Sequence, residues 1–371
     1  MVIATGFLFN GAAAQHRAML ARKMRIALLA TSDFCATVLS VSLGISLAAL
    51  GAGYWALAAM ILCPSVVNLF TSWMFGRWLP GLPRRETGVI KMIRYGSILM
   101  VDSIVIYISY NTDKILLGRF WGAQSLGFYG RAYQLMNIPT QNLSTAVNAV
   151  ALPALSRLQH DPERLRRYFL QCYTLFLSLN MPITVACGLF GEDIIRVFLG
   201  PKWADAVPIF RLLAPTMLAM ALINLPGLLL AAVGRVVQSL GLSLLIAPVV
   251  VLGYAFGLPY GPVGVAGGFS IAMLLLIVPV ILWGVRGTPV SPADIWQAIR
   301  PPLYSIIVAS AAAVLAEIPA SYLSHAFFRL CVENTVLFGA YAAMLVFVMG
   351  QKPLYLNVLH GLGLKIGKAA A

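Results

Sequence analysis

The chain has 371 residues, of which 60% are hydrophobic and only 10% charged, with a formal net charge of +14. A soluble chain of this size carries about a quarter charged residues, which excludes an ordinary soluble globular protein. The apolar residues fall in runs of roughly 20, enough to cross a ~30 Å hydrocarbon core as a helix, so the class is an all-α polytopic membrane protein.

Eleven hydrophobic segments follow in order, near 1–14, 26–50, 54–75, 92–117, 125–150, 168–190, 208–232, 236–257, 262–285, 301–318 and 326–349. Their orientation is read from Lys and Arg in the connecting loops. Arg17, Arg22, Lys23 and Arg25 follow the first segment, and Arg77, Arg84, Arg85, Lys91 and Arg94 follow the third. Arg157, Arg164, Arg166 and Arg167 follow the fifth; Arg235, then Arg286 with Arg300, then Lys352, Lys365 and Lys368 complete that side. The basic side holds 19 Lys and Arg, whereas the opposite side holds only Arg119, Arg196 and Lys202. The basic side is read as cytoplasmic, with the C-terminus on it. Topology thus accounts for most of the positive charge, and nucleic acid is not expected as a partner.

The same count makes the first segment run from outside to inside, which expects helices ahead of it. A weak internal repeat agrees. LGAGYWALAAMIL (50–62) loosely parallels YGPVGVAGGFSIAML (260–274), and segments one to three share spacing and orientation with segments seven to nine. About three helices are therefore expected to be missing at the N-terminus. Residues 1–80 are read as the second half of an N-terminal lobe, 81–286 as a six-helix lobe, and 287–371 as two extra helices with a cytoplasmic tail. The Pro- and Arg-rich stretch 76–91 is the expected inter-lobe linker. The outside loop 191–207 is expected to hold a short interfacial helix anchored by Trp203. Tyr54, Trp55, Trp73 and Trp78 bracket the third segment as an aromatic belt would.

Cys35, Cys63, Cys172, Cys187 and Cys331 lie in apolar runs without CxxC spacing and read as small buried hydrophobes. No HExxH pattern occurs. Neither a metal site nor a catalytic residue is expected.

The polar residues inside the fourth and fifth segments carry the functional signal, because such residues in a membrane must face protein or water. At 100° per residue, Gln134, Asn137, Gln141, Thr145 and Asn148 fall within about an 80° arc, with Arg131 beside it. A wet cavity and helix–helix hydrogen bonding both explain such a stripe. Arg131 has two readings as well, contact with a ligand or pairing with Asp102 or Asp113. On the fourth segment Asp102, Ser109 and Asp113 share an arc of about 40°. Asn111, Asp113 and Lys114 read as the outer mouth, either a solvated end or part of an inter-helix ion pair. Asp33 reads as a local partner of Arg25 or its neighbours.

The stretches NTDKILLGRFWGAQSLGFYGRAYQL (111–135), ALPALSRLQHDPERLRR (151–167), FLGPKWADAVPIFRLLA (198–214) and LLAAVGRVV (229–237) resemble the Wzx-type polysaccharide exporters. These belong to the multidrug/oligosaccharidyl-lipid/polysaccharide (MOP) superfamily, with the lipid II flippase and the MATE transporters. The resemblance covers most of the chain. It implies a MATE/MOP-like two-lobed helical bundle, with about 11 transmembrane helices in this chain. It further implies a flippase of the bacterial inner membrane that moves an anionic polyprenyl-diphosphate-linked oligosaccharide by alternating access. Arg131 falls in the family's eighth helix, where the lipid II flippase has a cavity arginine. On that footing Arg131 would meet the diphosphate, and Gln134, Asn137, Gln141 and Asn148 the sugars. Asp102, Asp113 and Asn111 complete the candidate set, with a coupling proton or Na⁺ but no bound cofactor. Association with polysaccharide assembly enzymes is also implied. The competing reading is a cation-coupled multidrug or metabolite antiporter of the same fold, or a non-functional remnant.

Overall fold

Helix is what a membrane-spanning sequence must form, since the hydrocarbon offers no hydrogen-bond partner to the backbone. The computed structural model describes residues 2–76, 89–320, 325–352 and 355, with no β-strand among them. Arg77, Arg84 and Arg85 of the expected linker, Trp78 of the expected belt, and Lys365 and Lys368 of the tail lie outside the described residues.

The chain divides into two units, Met1–Val89 and Ile90–Ala371. The first contains α1 (Gly6–Arg22), α2 (Ile26–Ala49) and α3 (Tyr54–Gly76), with α3 packed on both of the others. Its interior is small and polar. The buried stripe of α2 is Ser32, Ala36, Ser40 and Gly44, one residue per turn. Phe7, Phe34, Ile45 and Phe70 stay exposed. Small residues let membrane helices approach closely, and here Gly44 meets Met60 where a Cβ would stand 3.0 Å from the sulfur. Asp33 pairs with Arg17 of α1 at 3.0 Å, rather than with Arg25.

The second unit holds α4 (Val89–Phe120), α5 (Gly122–Arg157), α6 (Pro162–Leu189), the short α7 (Gly191–Phe198), α8 (Ala206–Ala232), α9 (Val236–Gly257) and α10 (Gly261–Gly284). α11 (Pro292–Ala320) and α12 (Ala326–Ala343) follow. Each of the eleven expected segments is a helix. α7 and a 3-10 turn, Pro201–Trp203, occupy the loop where a short helix was expected. α8 is the central element, packed against α5, α6 and α10 and largely buried. α6 starts where Asp161 accepts from the Arg164 N–H at 3.1 Å with Pro162 in the first turn, an ordinary N-cap.

Eight stretches are long and apolar enough to cross a membrane, one of them, Val236–Gly284, containing both α9 and α10. α5 is not among them although it has 36 residues, because its polar stripe lowers its hydropathy.

The turns that end α1, α2 and α8 share one backbone geometry, a common helix stop. α1 ends in a Schellman turn in which Arg25 N–H donates to Leu20 O at 3.0 Å and Met24 N–H to Ala21 O at 2.9 Å. α8 ends identically, with Arg235 N–H to Leu230 O at 2.8 Å and Gly234 N–H to Ala231 O at 3.2 Å. The left-handed position is Gly234 in one turn (φ +77°) and Met24 in the other (φ +55°). A new helix begins directly after Arg25 and Arg235, which lie 210 residues apart.

α9 crosses α10 closely, with Gly253 and Gly257 facing Gly264 and Gly268. A Cβ on Gly253 would stand 2.6 Å from Gly268 O, and one on Gly257 would come closer still to Gly264 O. Only glycine permits backbones to meet this way. Gly268→Leu is therefore expected to lower the unfolding temperature in detergent by several degrees, corresponding to an overpacking cost of about 1–3 kcal/mol. Gly227→Ala, at a position where nothing lies within 4 Å, serves as the neutral control.

Candidate functional site: a sealed carboxylate and an open polar face

The arc of α4 that carries Asp102, Ser109 and Asp113 is its inward face. Ser109 and Asp113 are buried, and Leu117 continues the same stripe. An unpaired carboxylate at such depth costs roughly 2.5–3.5 kcal/mol or more, so its partners decide whether the helix is stable there. Asp113 is 0% exposed and is not a solvated end. The Tyr129 hydroxyl of α5 donates to one carboxylate oxygen at 2.8 Å, and the Lys114 N–H donates to the other at 2.7 Å. Tyr129 itself is fully buried and stacks on Tyr133, with ring centroids 6.2 Å apart. On the α9–α10 side, Tyr254 packs on Phe269 at 5.1 Å, and Tyr110 meets the same Phe269 edge-on at 6.0 Å. The buried Tyr254 hydroxyl makes no hydrogen bond to a described residue. Lys114 does not pair with Asp113. Its ammonium donates to Asn111 Oδ1 at 2.8 Å and lies 5.3 Å from the Tyr133 ring centre, a cation–π contact.

Asp102, three turns away, is held by α9. Ser239 donates to it at 3.2 Å, and Ser243 donates to its other oxygen. With Tyr129 on Asp113 and the Trp121 indole N–H on Leu258 O at 2.9 Å, these bridges fasten α4 to its neighbours through side chains.

α5 has two unlike faces. Tyr129, Ala132, Met136 and Thr140 form its buried stripe, while Arg131, Gln134, Gln141, Thr145 and Asn148 are exposed and Asn137 is half-buried. Arg131 donates to Gln134 at 2.9 Å and pairs with neither Asp102 nor Asp113. Asn137, Gln141 and Asn148 make no hydrogen bond to a described residue, so they do not join α5 to another helix of their own unit. The structure therefore brings Asn111 and Asp113 together and sets Arg131 beside Gln134. Asp102 occupies a separate place, held by serines.

Sequence reasoning missed Tyr129, Ser239 and Ser243. Each is an ordinary residue whose relation to an aspartate exists only once helices pack, and no local spacing announces it. It also missed two ion pairs, Arg166–Asp294 and Arg329–Asp193, which join α6 to α11 and α7 to α12.

A helical bundle of long apolar spans, with a sealed carboxylate on α4 and an open polar face on α5, defines a multi-pass membrane protein. A family model described as "Polysaccharide biosynthesis protein" matches residues 1–208, more than half of the chain, and the chain belongs to that family. It is 27% identical over 274 residues to the lipopolysaccharide biosynthesis protein WzxC of Escherichia coli (strain K12), covering 70% of this chain and 54% of that one. It is also 27% identical to the teichuronic acid biosynthesis protein TuaB of Bacillus subtilis (strain 168), covering 63% and 49%. The succinoglycan biosynthesis transport protein ExoT of Rhizobium meliloti (strain 1021) is 26% identical, covering 53% and 40%. The chain spans about half the length of the curated relatives it matches. Its fold is that of the lipid II flippase MurJ in an inward closed conformation, with a TM-score of 0.68 at 13% identity, covering 96% of this chain and 74% of that one.

The Tyr129–Asp113 bond can be tested directly. Tyr129→Phe is expected to destabilise the protein by about 1–3 kcal/mol, the cost of stripping a buried acceptor of its donor. In an Asp113→Asn background the same change should cost less, because the carboxylate is gone. A double-mutant cycle on denaturant unfolding measures the difference, and equal costs in both backgrounds would assign the bond no role.

Proposed function

We propose that this chain acts in flipping a polyprenyl-diphosphate-linked oligosaccharide across the bacterial inner membrane, as a transporter rather than an enzyme. The observation that carries this reading is the α5 polar face. It is a row of amides with one arginine, left unpacked within its own unit on a helix whose opposite face is buried. Family membership and the fold support the reading. Arg131 supplies a guanidinium whose fork matches phosphate oxygens, and Gln134 holds it in place. Gln134, Asn137, Gln141 and Asn148 both donate and accept, which suits sugar hydroxyls of varied stereochemistry.

Asp113 is the candidate for ion coupling. It is a carboxylate closed off from water with a tyrosine on one oxygen, so taking up a proton or a cation would change what Tyr129 can donate to. Asp102, bonded by one serine on each oxygen, serves to hold α4 on α9. The C-terminus is assigned to the cytoplasm on the loop charges, and contact with polysaccharide assembly enzymes is a further part of the proposal.

Deleting the gene should leave the glycolipid on the cytoplasmic leaflet of spheroplasts, and unchanged leaflet distribution would refute the reading. Arg131→Ala should slow flipping about 10- to 100-fold, the worth of a charge-assisted hydrogen bond, with Arg131→Lys intermediate. Flipping by Asp113→Asn should no longer respond to an imposed proton or Na⁺ gradient.

A further inference from the structure

A second cationic feature lies away from the α5 face, where the α8–α9 turn meets the end of α10. It is a cavity of about 630 Å³ lined by Gly234, Arg235, Val237, Gln238, Trp283, Arg286 and Gly287. Two of its seven lining residues are arginines and none is acidic. The Arg235 guanidinium is fixed in place, its Nη1 donating to Gln238 Oε1 and to Arg286 O, each at 3.2 Å. Gln238 is fixed in turn, donating to Trp283 O at 2.7 Å and to Arg286 O at 3.1 Å. Gly287 makes room for this arrangement. It sits at φ +73°, and a Cβ there would stand 2.9 Å from Arg235 Cζ. Arg235 keeps Nη2 and Nε for another acceptor, and the exposed Arg286 side chain makes no hydrogen bond or ion pair with a described residue. Two arginines thus line one cavity, one of them fixed, with no acidic residue among the lining residues.

The surroundings say what kind of anion fits. Leu275, Val278 and Leu282 are each at least half exposed and lie at i, i+3 and i+7 on α10, one stripe running toward the helix end that Arg286 follows. Val237 is 65% exposed and Trp283 41% exposed at the rim. A tryptophan at the membrane–water boundary, arginines beyond it and an apolar stripe below it match an amphiphile with a phosphate head. The loop charges put this end of the helices on the basic, cytoplasmic side. We propose that this cavity binds an anionic phospholipid of that leaflet, with its phosphate on Arg235 and Arg286 and an acyl chain along Leu275, Val278 and Leu282. The site is independent of the transport reading, since it uses no residue of the α5 face.

The test reconstitutes the whole chain in phosphatidylcholine bilayers containing acyl-brominated phosphatidylglycerol, or acyl-brominated phosphatidylcholine at the same fraction. Trp283 quenching is read as the difference between the chain and its Trp283→Phe variant. Phosphatidylglycerol should quench Trp283 with a binding constant several-fold above that of phosphatidylcholine. Arg286→Gln should lower this preference about fivefold, the worth of one arginine at an anionic headgroup, and Arg286→Lys should retain most of it. The Arg286 side chain holds no other described residue, so an unfolding temperature equal to the parent's is expected alongside. Equal quenching by the two lipids in the parent chain, or an undiminished preference in Arg286→Gln, would overturn the proposal.

Discussion

A hydrocarbon core supplies no hydrogen bonds, and that single constraint sorts every polar side chain in this protein. Some are satisfied inside their own bundle. Asp113 receives the Tyr129 hydroxyl and a backbone N–H, and Asp102 receives two serines. Buried Thr and Ser residues in the helices turn back on their own backbone, as Ser178 does on Thr174 O and Thr216 on Leu213 O. The α5 row from Arg131 to Asn148 differs in being largely exposed: Arg131 and Gln134 bond each other, and Asn137, Gln141 and Asn148 bond no described residue. Water or a ligand must satisfy the remaining groups wherever the surrounding medium is not protein. That is a stronger argument for function than polarity alone, because the sealed residues are equally polar.

The packing answers the same constraint from the apolar side. With lipid as apolar as leucine, burying leucine drives nothing, and close backbone approach has to hold the helices together. The four glycines at the α9–α10 crossing and the Ser–Ala–Ser–Gly stripe of α2 do this in the two units. Schellman turns end α1 and α8 just before α2 and α9 begin. Gln238 braces Arg235, whereas Leu28 stands at the equivalent place after Arg25.

Much of this was legible in the sequence, for a physical reason. Spans announce themselves by length and hydropathy, and all eleven expected segments are helices. The period of 3.6 correctly put Asp102, Ser109 and Asp113 on one face of α4, and the Gln134–Asn148 row on one face of α5. What periodicity cannot supply is the direction each face points. The two rows look alike on a helical wheel, yet the first is inward and sealed and the second outward and open. The same gap explains the misplaced partners. Asp33, expected to meet Arg25 or its neighbours, meets Arg17 across a helix pair, and Asp113, expected at a solvated end or in an ion pair, meets a tyrosine sixteen residues on. Pairings across helices depend on rotation about each axis, which is set by the glycines and small residues of other helices.

The ion pairs show how the last two helices are attached. Arg166, in the second turn of α6, pairs with Asp294 at the start of α11, and Asp193 of α7, just past the end of α6, pairs with Arg329 near the start of α12. Both carboxylates are nearly buried, at 6% and 7% side-chain exposure, so each depends on its arginine for a counter-charge. The two bonds lie at opposite ends of α6, one fastening each helix of the α11–α12 pair. Two fixed points a span apart suppress both sliding and rotation of that pair on α6, which the apolar contacts between them alone would permit. The α11–α12 pair is therefore fastened at both ends to the continuous α6–α7 segment, by charge as well as by packing.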